Sequence, residues 1–256
     1  MKDPNDYNVR SIDRALQILD CFDDEHPTWG LTEISQEVGL HKATTHRIMT
    51  TLLNFNYLEK TSDGQKYRLG LRLASLGFSV IRRMDLRSEA LPHMRQIVDQ
   101  FDEACDISIF DRWEVFYVEV IQSNHALTIA AAPGMRLPAY CTASGKVFLA
   151  FLPEDVFNRT IQRPMTKLTP NTITDPLILK IQLEEIRKQG YGVDLEEMEV
   201  GIKAISAPIF DQDNKITAAI SIPAPTSRIP ESKIPELAEA LIITSKKISR
   251  SLGWHL

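Results

Sequence analysis

Two short helical segments joined by a tight turn constrain this chain more than any other feature. Residues 32–38 carry the pattern of a short amphipathic helix, which Thr32 is expected to cap through its hydroxyl. Gly39 is expected to end this helix, because glycine adopts the left-handed conformation at little cost. The three-residue turn 39–41 leads into a second helix from Lys42. Two helices connected this closely predict a helix-turn-helix.

A helix precedes this pair and a hairpin follows it. Apolar residues recur at three- and four-residue steps from Ile12 to Phe22, which predicts an amphipathic helix. The buried face of the helix that begins at Lys42 is expected at Ile48, Met49, Leu52 and Phe55. Two strand-like runs, 57–61 and 66–69, flank an Asp-Gly turn and predict a wing.

The rest of the chain alternates between helical and strand-like segments. Helical spacing predicts a linker helix over 71–81 and a further helix from Asp85 to Phe101. Strands are expected at 107–110, 115–120, 127–131, 204–210 and 216–222, and helices at 144–152, 177–189 and 234–252. This order predicts an α+β protein with an antiparallel sheet.

Composition excludes several protein classes. With 256 residues, 43% of them hydrophobic, the chain is long enough to bury a core and is not expected to be disordered or fibrous. It shows no apolar run long enough for a transmembrane helix and no secretory signal, so a cytoplasmic location without membrane contact is expected.

No cofactor or metal is expected. The three cysteines, Cys21, Cys105 and Cys141, are far apart and form no C-x-x-C pair, so neither a disulfide framework nor a structural zinc site is expected. The histidines His26, His93 and His125 are scattered and form no ligand pair.

The net charge is −5, but two segments without acidic residues carry basic side chains that could face a polyanion. Residues 38–58 contain no acid and carry Lys42 and Arg47, and residues 64–84 contain no acid and carry five basic residues. A recognition helix needs such side chains at its start, where they reach base edges in the major groove. The DNA-contact candidates on this helix are Lys42, Ala43, Thr44, Thr45, His46 and Arg47.

Two kinds of DNA contact are distinguished. Arg47 has the geometry to bind guanine with two hydrogen bonds, while Thr44 and Thr45 could bind phosphate or touch a thymine methyl group. Lys66 and Arg68 on the wing, with Arg10 and Arg14 on the first helix, are interpreted as phosphate contacts; the alternative for all these residues is an ordinary solvated surface.

Five sequence motifs in order carry a family resemblance. They are RSIDRALQIL at 10–19, GLHKATTHR at 39–47, TASGK at 142–146, GYGVD at 190–194 and APIFD at 207–211. The chain thereby resembles the isocitrate lyase regulator (IclR) family over nearly its whole length.

The resemblance implies a transcriptional regulator with a winged helix-turn-helix over 8–70, a linker helix over 71–84 and a GAF-like effector-binding domain over 85–256. It also implies a homodimer or a dimer of dimers that binds a near-palindromic double-stranded operator and a small organic acid. Repression and activation both remain open.

The effector site is expected around residues 142–146, just before a predicted helix. Amides at a helix start favour an anion, and Thr142 and Ser144 add hydroxyls, although Ser144 could simply be the N-cap. The resemblance implies that Thr142, Ala143, Asp194, Ala204 and Ser221 line the pocket, although Asp194 could equally cap a turn.

Two departures from the family pattern bear on the ligand. Relatives often have a cysteine where this chain has Ala204, and a second serine where it has Pro223. A pocket with fewer polar groups is expected to favour a larger or more apolar acid than glyoxylate or pyruvate, because unpaired buried polar atoms cost about 1 to 3 kcal/mol each.

Two other functions remain open. An enzyme could use Cys141 as a nucleophile with Asp194, Glu196 and Glu197 as acids or bases, but no catalytic motif supports it, so catalysis is not expected. A winged helix could also dock a partner protein, which the acid-free segments disfavour.

Overall fold

The computed structural model describes residues 9–23, 25–82, 85–129 and 131–255. The predicted domain limits at residues 8 and 256, residues 83 and 84 of the predicted linker, Ala130 of one predicted strand and the Phe78 side chain lie outside the described part. The chain divides into two compact units, residues 1–83, called the head below, and residues 84–256, called the C-terminal unit.

The head is a winged helix-turn-helix. Its elements are α1 (Arg10–Asp20), α2 (Leu31–Glu37), α3 (Lys42–Asn54), β1 (Leu58–Lys60), β2 (Tyr67–Leu69) and α4 (Leu71–Arg82). Ile18, Ile34 and Met49 contribute one fully buried side chain from each of the first three helices. β1 and β2 pair antiparallel, and Trp29 pairs with Tyr67 of β2, which fixes the hairpin beside the start of α2.

Two local predictions about the head are wrong. Thr32 lies inside α2, because the helix begins at Leu31. The cap is made instead by Glu33, whose Oε2 accepts the N–H of Gly30 at 2.7 Å. Phe55 follows the end of α3 and is 65% exposed, because the chain leaves the helical path at Asn56, which has a φ of 60°.

The C-terminal unit contains a six-stranded antiparallel sheet and five helices among the described residues. They are α5 (Asp85–Phe101), β3 (Cys105–Asp111), β4 (Glu114–Ile121), β5 (Arg136–Pro138), α6 (Ala143–Phe151), α7 (Glu154–Ile161), α8 (Pro176–Gln189), β6 (Gly192–Leu195), β7 (Ile202–Phe210), β8 (Ile216–Pro225) and α9 (Ile234–Ser251). The strand order is β5-β4-β3-β8-β7-β6. Helix α6 packs against β6, β7 and β8. The predicted α+β class is confirmed.

Strand register places several polar residues on one face of this sheet. Asp106 of β3 pairs with Ser221 of β8, and Asp194 of β6 pairs with Ala204 of β7. Residues that pair directly across antiparallel strands share a face, and so do residues two positions apart in one strand. Ala204 pairs in turn with Pro223, two residues from Ser221, so all five residues lie on the same face.

The strand predicted at 127–131 is wrong, since none of its described residues lies in a strand. Ile129 and Ala131 are apolar because they line a cavity, while Leu127 is exposed. The sequence interpretation also missed β5, β6 and α7, of which the two strands are only three and four residues long.

Candidate DNA-binding surface and effector cavity

The outward face of α3 carries most of the predicted recognition residues. Lys42, Ala43, His46 and Arg47 are exposed, and Thr44 is half-buried, while Met49 anchors the opposite face in the core. No acid lies on α3, so its exposed face has no negative group of its own to repel phosphate. Such a face can approach a DNA groove and hydrogen-bond to base edges.

Thr45 does not belong to this face. Its side chain is fully buried, and its hydroxyl donates to the His41 carbonyl at 3.3 Å. The predicted contact between Thr45 and DNA is therefore wrong, because a core side chain cannot reach a ligand outside the head. Helical spacing explains the error, since position 45 lies one turn before Met49 on the inner side.

The structure brings the two arginines of α1 together with α3. Arg10 and Arg14 border one open cleft that is also lined by Thr44, His46 and Arg47. A backbone phosphate next to the recognition helix would meet these cations at the same time.

The two wing residues are exposed but have acidic neighbours. Lys66 Nζ lies 3.8 Å from Glu33 Oε2, and Arg68 Nη2 lies 3.1 Å from Glu59 Oε2. Exposed pairs of this kind contribute about 0 to 1 kcal/mol, so a DNA phosphate can compete with either carboxylate for the cation.

In the C-terminal unit, one cavity of about 140 Å³ is lined by all six residues predicted to bind an effector. They are Thr142, Ala143, Ser144, Asp194, Ala204 and Ser221. Pro223 also lines it. The cavity lies between the start of α6 and the sheet face that carries Asp194, Ala204 and Ser221.

Thr142 caps α6 at the cavity wall. Its Oγ1 accepts the N–H of Gly145 at 3.2 Å, so the alternative interpretation of Ser144 as the N-cap is wrong. The first bond along the helix runs from the Lys146 N–H to the Thr142 carbonyl at 2.9 Å. The amides of Ala143 and Ser144 precede it and therefore have no partner within the helix, which makes them donors for an anion.

Asp194 both lines the cavity and caps a turn. Its Oδ1 accepts the N–H of Glu197 at 2.7 Å, so the two interpretations of this residue hold together. Burial raises the pKa of Asp194 to about 7, although that hydrogen bond and the nearby Lys146 lower it in part. Lys146 is fully buried and forms an ion pair with Glu197.

Sequence interpretation missed three polar residues of the cavity, Asp106, Tyr117 and Glu199. Asp106 is 1% exposed, and burial raises its pKa to about 8. Burial also raises the pKa of Tyr117, whose hydroxyl hydrogen-bonds to Ser144. The available signal was the carboxyl of Asp106 next to the apolar residues of β3, since burying an acid is costly unless it has a partner.

The apolar part of the wall comes from loops and strand ends that carry no motif. It includes Ile129, Ala131, Met135, Leu137, Met198 and Ile202. They come from two short segments, 129–137 and 198–202, which only the folded sheet brings together.

Cys141 does not have the properties of a nucleophile. Burial, followed by the nearby Asp194 and Glu197, raises its pKa to about 12, so the thiol is protonated at neutral pH. Its Sγ lies 3.7 Å from Met198 Sδ, and no described histidine lines the cavity. Glu197 is held by Lys146, and Glu196 Oε1 accepts the N–H of Gly201 at 2.7 Å.

Two features are absent from the described ranges. These ranges contain no group of three or more side chains that could hold a metal ion. None of their helices is both long and apolar enough to cross a membrane.

The chain resembles known proteins in both units. Residues 11–62 match the IclR helix-turn-helix domain, and residues 78–250 match the C-terminal domain of the bacterial transcriptional regulator IclR. The HTH-type transcriptional regulator XynR of Escherichia coli is 32% identical over 96% of this chain and 98% of its own length. The E. coli transcriptional repressor IclR is 28% identical over 98% of this chain and 92% of its own length.

Solved structures agree with this fold. The Thermotoga maritima IclR structure has a TM-score of 0.75 at 31% identity and covers 96% of this chain and 100% of its own. An IclR homologue from Microbacterium hydrocarbonoxydans complexed with 4-hydroxybenzoate has a TM-score of 0.85 at 26% identity and covers 94% and 98%. With both units matched, this chain belongs to the IclR family of transcriptional regulators.

Proposed function

We propose that this regulator binds a near-palindromic operator through its head and a small organic acid in the cavity of its C-terminal unit, and that the acid changes operator affinity. The observation that carries the proposal is the convergence of all six predicted effector residues on one cavity at a helix start. We assign DNA binding to residues 8–70, a linker helix to 71–84 and effector binding to 85–256.

The DNA arm of the proposal rests on the exposed face of α3. Arg47 is proposed to read a base, while Arg10, Arg14, Lys66 and Arg68 contact phosphates. The two heads of a homodimer would contact half-sites about 34 Å apart, one helical turn of DNA, or a multiple of that distance. A dimer of dimers would present four such heads. Because the proposed partner is genomic DNA, we also propose a cytoplasmic location.

The effector arm rests on the size and chemistry of the cavity. A protein cavity of roughly 150 Å³ is known to hold benzene, so about 140 Å³ suits an acid with one small ring or a short chain. Ala204 and Pro223 make one side of it apolar, which supports a ligand less polar than glyoxylate. The relative that is complexed with 4-hydroxybenzoate is consistent with this class.

The test is a DNA-binding titration with and without candidate acids. Operator fragments from the DNA flanking the gene would be titrated at low and high salt, alone and with a panel of aliphatic and aromatic acids. We expect sequence-specific, salt-dependent binding that one class of acid changes. Binding that is insensitive to DNA sequence, or capture of a protein partner by the head without DNA binding, would contradict the proposal.

An enzymatic function is not favoured. The thiol of Cys141 is protonated and Glu197 is ion-paired, so neither of these two candidates is an activated nucleophile or base. We therefore propose that the ligand is released unchanged. Recovery of a chemically altered ligand after prolonged incubation would reverse this assignment.

A further inference from the structure

Glu59 connects the wing to the linker helix within the head. It lies on β1 and pairs across the hairpin with Arg68 of β2. Its Oε2 lies 3.1 Å from Arg68 Nη2, while its Oε1 accepts the N–H of Leu71 at 3.3 Å. Leu71 is the first residue of α4. One carboxylate thus contacts both a proposed phosphate-binding cation and the start of the helix that follows the wing.

The contact with Leu71 stabilises the start of α4. The first amides of a helix have no acceptor within it, and a negative charge beside them is favourable. The first turn of α4 contains no acid of its own, so Glu59 supplies that charge. Gly70 keeps the two elements close, because a Cβ there would lie 2.3 Å from the Asn56 carbonyl oxygen.

The contact with Arg68 can be exchanged for a contact with DNA. The Arg68 and Glu59 side chains are 56% and 34% exposed, and an ion pair this accessible contributes little to stability. A phosphate can therefore take Arg68 from Glu59, while the Leu71 amide remains bound to the carboxylate. Arg10 and Arg14, the proposed phosphate contacts on α1, pair with no acid among the described residues, so they have no partner to exchange.

Lys66 is the other proposed phosphate contact of the wing, but its acid belongs to a different helix start. Glu33 Oε2 lies 3.8 Å from Lys66 Nζ and accepts the N–H of Gly30, just before α2. A phosphate on Lys66 therefore affects the start of α2, whereas a phosphate on Arg68 affects the start of α4. The two pairs provide a matched comparison.

We propose that Glu59 couples phosphate binding at the wing to the stability of the linker helix α4. In the free protein, Arg68 neutralises part of the carboxylate charge. When a phosphate binds Arg68, that charge acts on the start of α4 alone and stabilises it. The coupling is reciprocal, so a change in α4 that draws the Leu71 amide away from Glu59 strengthens the Arg68 pair and weakens DNA binding. This inference rests on the proposed DNA binding and adds the residue that connects it to the linker helix.

Amide hydrogen exchange of the full-length protein tests the inference, measured free and with a random-sequence duplex at low salt. We expect DNA to slow exchange at residues 71–76 by roughly 2- to 5-fold, the usual effect of one charge at a helix start. Glu59→Gln keeps an acceptor for the Leu71 amide but no charge, so DNA should no longer slow exchange there. Arg68→Ala should slow exchange at residues 71–76 without DNA, because the carboxylate has already lost its partner.

DNA affinity gives a second readout. Glu59→Gln should bind the duplex roughly 2- to 5-fold more tightly, because Arg68 is freed, and this gain should vanish in an Arg68→Ala background. Replacing a residue that only supports the fold would weaken binding instead. Glu33→Gln is the matched control, which should also tighten binding but leave the DNA-dependent slowing at residues 71–76 intact.

Three results would overturn this inference alone. They are slowing by DNA that persists in Glu59→Gln, weaker DNA binding by that variant, and loss of the slowing in Glu33→Gln, since any acid near the wing would then have the same effect. If the parent protein binds no duplex at low salt, the proposed function fails as well.

Discussion

Arg47 and Lys66 are both exposed cations of the head, yet their loss should affect DNA binding differently. Arg47→Ala should weaken operator binding by about 1 to 3 kcal/mol and relax sequence preference, because a base contact is lost. Lys66→Ala should weaken binding to all duplexes alike and lower the salt slope by about one, because a phosphate contact is lost. Fluorescence anisotropy with operator and scrambled duplexes at several salt concentrations measures both effects.

Lys188→Ala is the matched control, since Lys188 is an exposed cation on α8 outside the head. It should change neither affinity nor salt slope. An Arg47→Ala protein that still distinguishes operator from scrambled DNA as well as the parent would show that α3 does not read the bases through this residue.

The carboxyls of Asp106 and Asp194 should make stability depend on pH. Burial raises their pKa values to about 8 and about 7, far above the ordinary value of about 3.9 for Asp. Between pH 4 and 8 the folded protein therefore binds more protons than the unfolded chain, so these groups lower the free energy of unfolding as pH rises.

Asp106→Asn isolates one of the two contributions. The free energy of unfolding of Asp106→Asn, relative to that of the parent, should increase from pH 5 to pH 8 and level off above pH 8. Denaturant unfolding at each pH measures it. A stability difference that does not vary with pH would mean that Asp106 is already ionised in the folded protein below pH 5.

Single residues show where sequence interpretation works and where it stops. The positions of Arg47 and Thr142 could be predicted locally, and the structure places Arg47 on the exposed side of α3 and Thr142 at the start of α6. Thr45 was misassigned because its inward orientation depends on where the core of the head lies. Asp106 was missed because its partners come from distant strands, as Ser221 does.

At the scale of elements, the start of α6 should tolerate no side chain at Gly145. A Cβ there would lie 2.2 Å from the Ala139 carbonyl oxygen, so the helix start and the preceding turn would have to separate. Gly145→Ala should cost about 1 to 3 kcal/mol of unfolding free energy and weaken effector binding. Thermal and denaturant unfolding, with a ligand titration, measure the two losses.

Gly77→Ala provides the contrasting substitution in α4. A Cβ at Gly77 meets nothing within 4 Å, so alanine should be neutral or stabilise by about 0.5 to 1 kcal/mol through its higher helix propensity. If Gly77→Ala destabilised the protein as much as Gly145→Ala, the close approach to Ala139 would not explain the loss of stability at position 145.

Except for α7, the helices and the long strands could be predicted. Each of these helices repeats its apolar pattern over about two turns or more, and each long strand carries enough apolar and β-branched residues to be recognised. β5 and β6 could not, since three or four residues carry too little periodicity. At 127–131 the error is the opposite one, because a strand was predicted and none forms. The same apolar pattern also occurs in a loop that lines a cavity.

At the scale of the whole molecule, we expect the protein to be at least a dimer. Leu71 is 76% exposed and Leu76 is 40% exposed, both on α4 of the head. Light scattering at micromolar concentration should give a mass of at least twice the 29.0 kDa of one chain. A mass near that of one chain would count decisively against the two-fold operator.

Glutamate substitutions locate the contact. Leu71→Glu with Leu76→Glu should lower the mass and weaken operator binding, because two linked heads bind better than one. Leu168→Glu, at an exposed leucine between α7 and α8, should do neither.

Effector and operator should influence each other equally. If the acid changes operator affinity by some factor, operator DNA must change acid affinity by the same factor, typically through 1 to 3 kcal/mol of coupling. Calorimetry with and without operator checks this reciprocity. Ser221→Ala should weaken acid binding while acid-free operator binding remains, whereas loss of DNA binding alone would contradict its place in the cavity.

The pairing of β3 with β8 also determines when the sheet of the C-terminal unit can form during translation. These neighbours are more than a hundred residues apart, while the paired strands of the head end at Leu69. At about 5 to 20 residues per second, a nascent chain carries a complete head for many seconds before β8 is made. We therefore expect an effector to protect arrested nascent chains from protease only after β8 has left the ribosome. Until then the newly made head could bind DNA, while the effector cavity would still be incomplete.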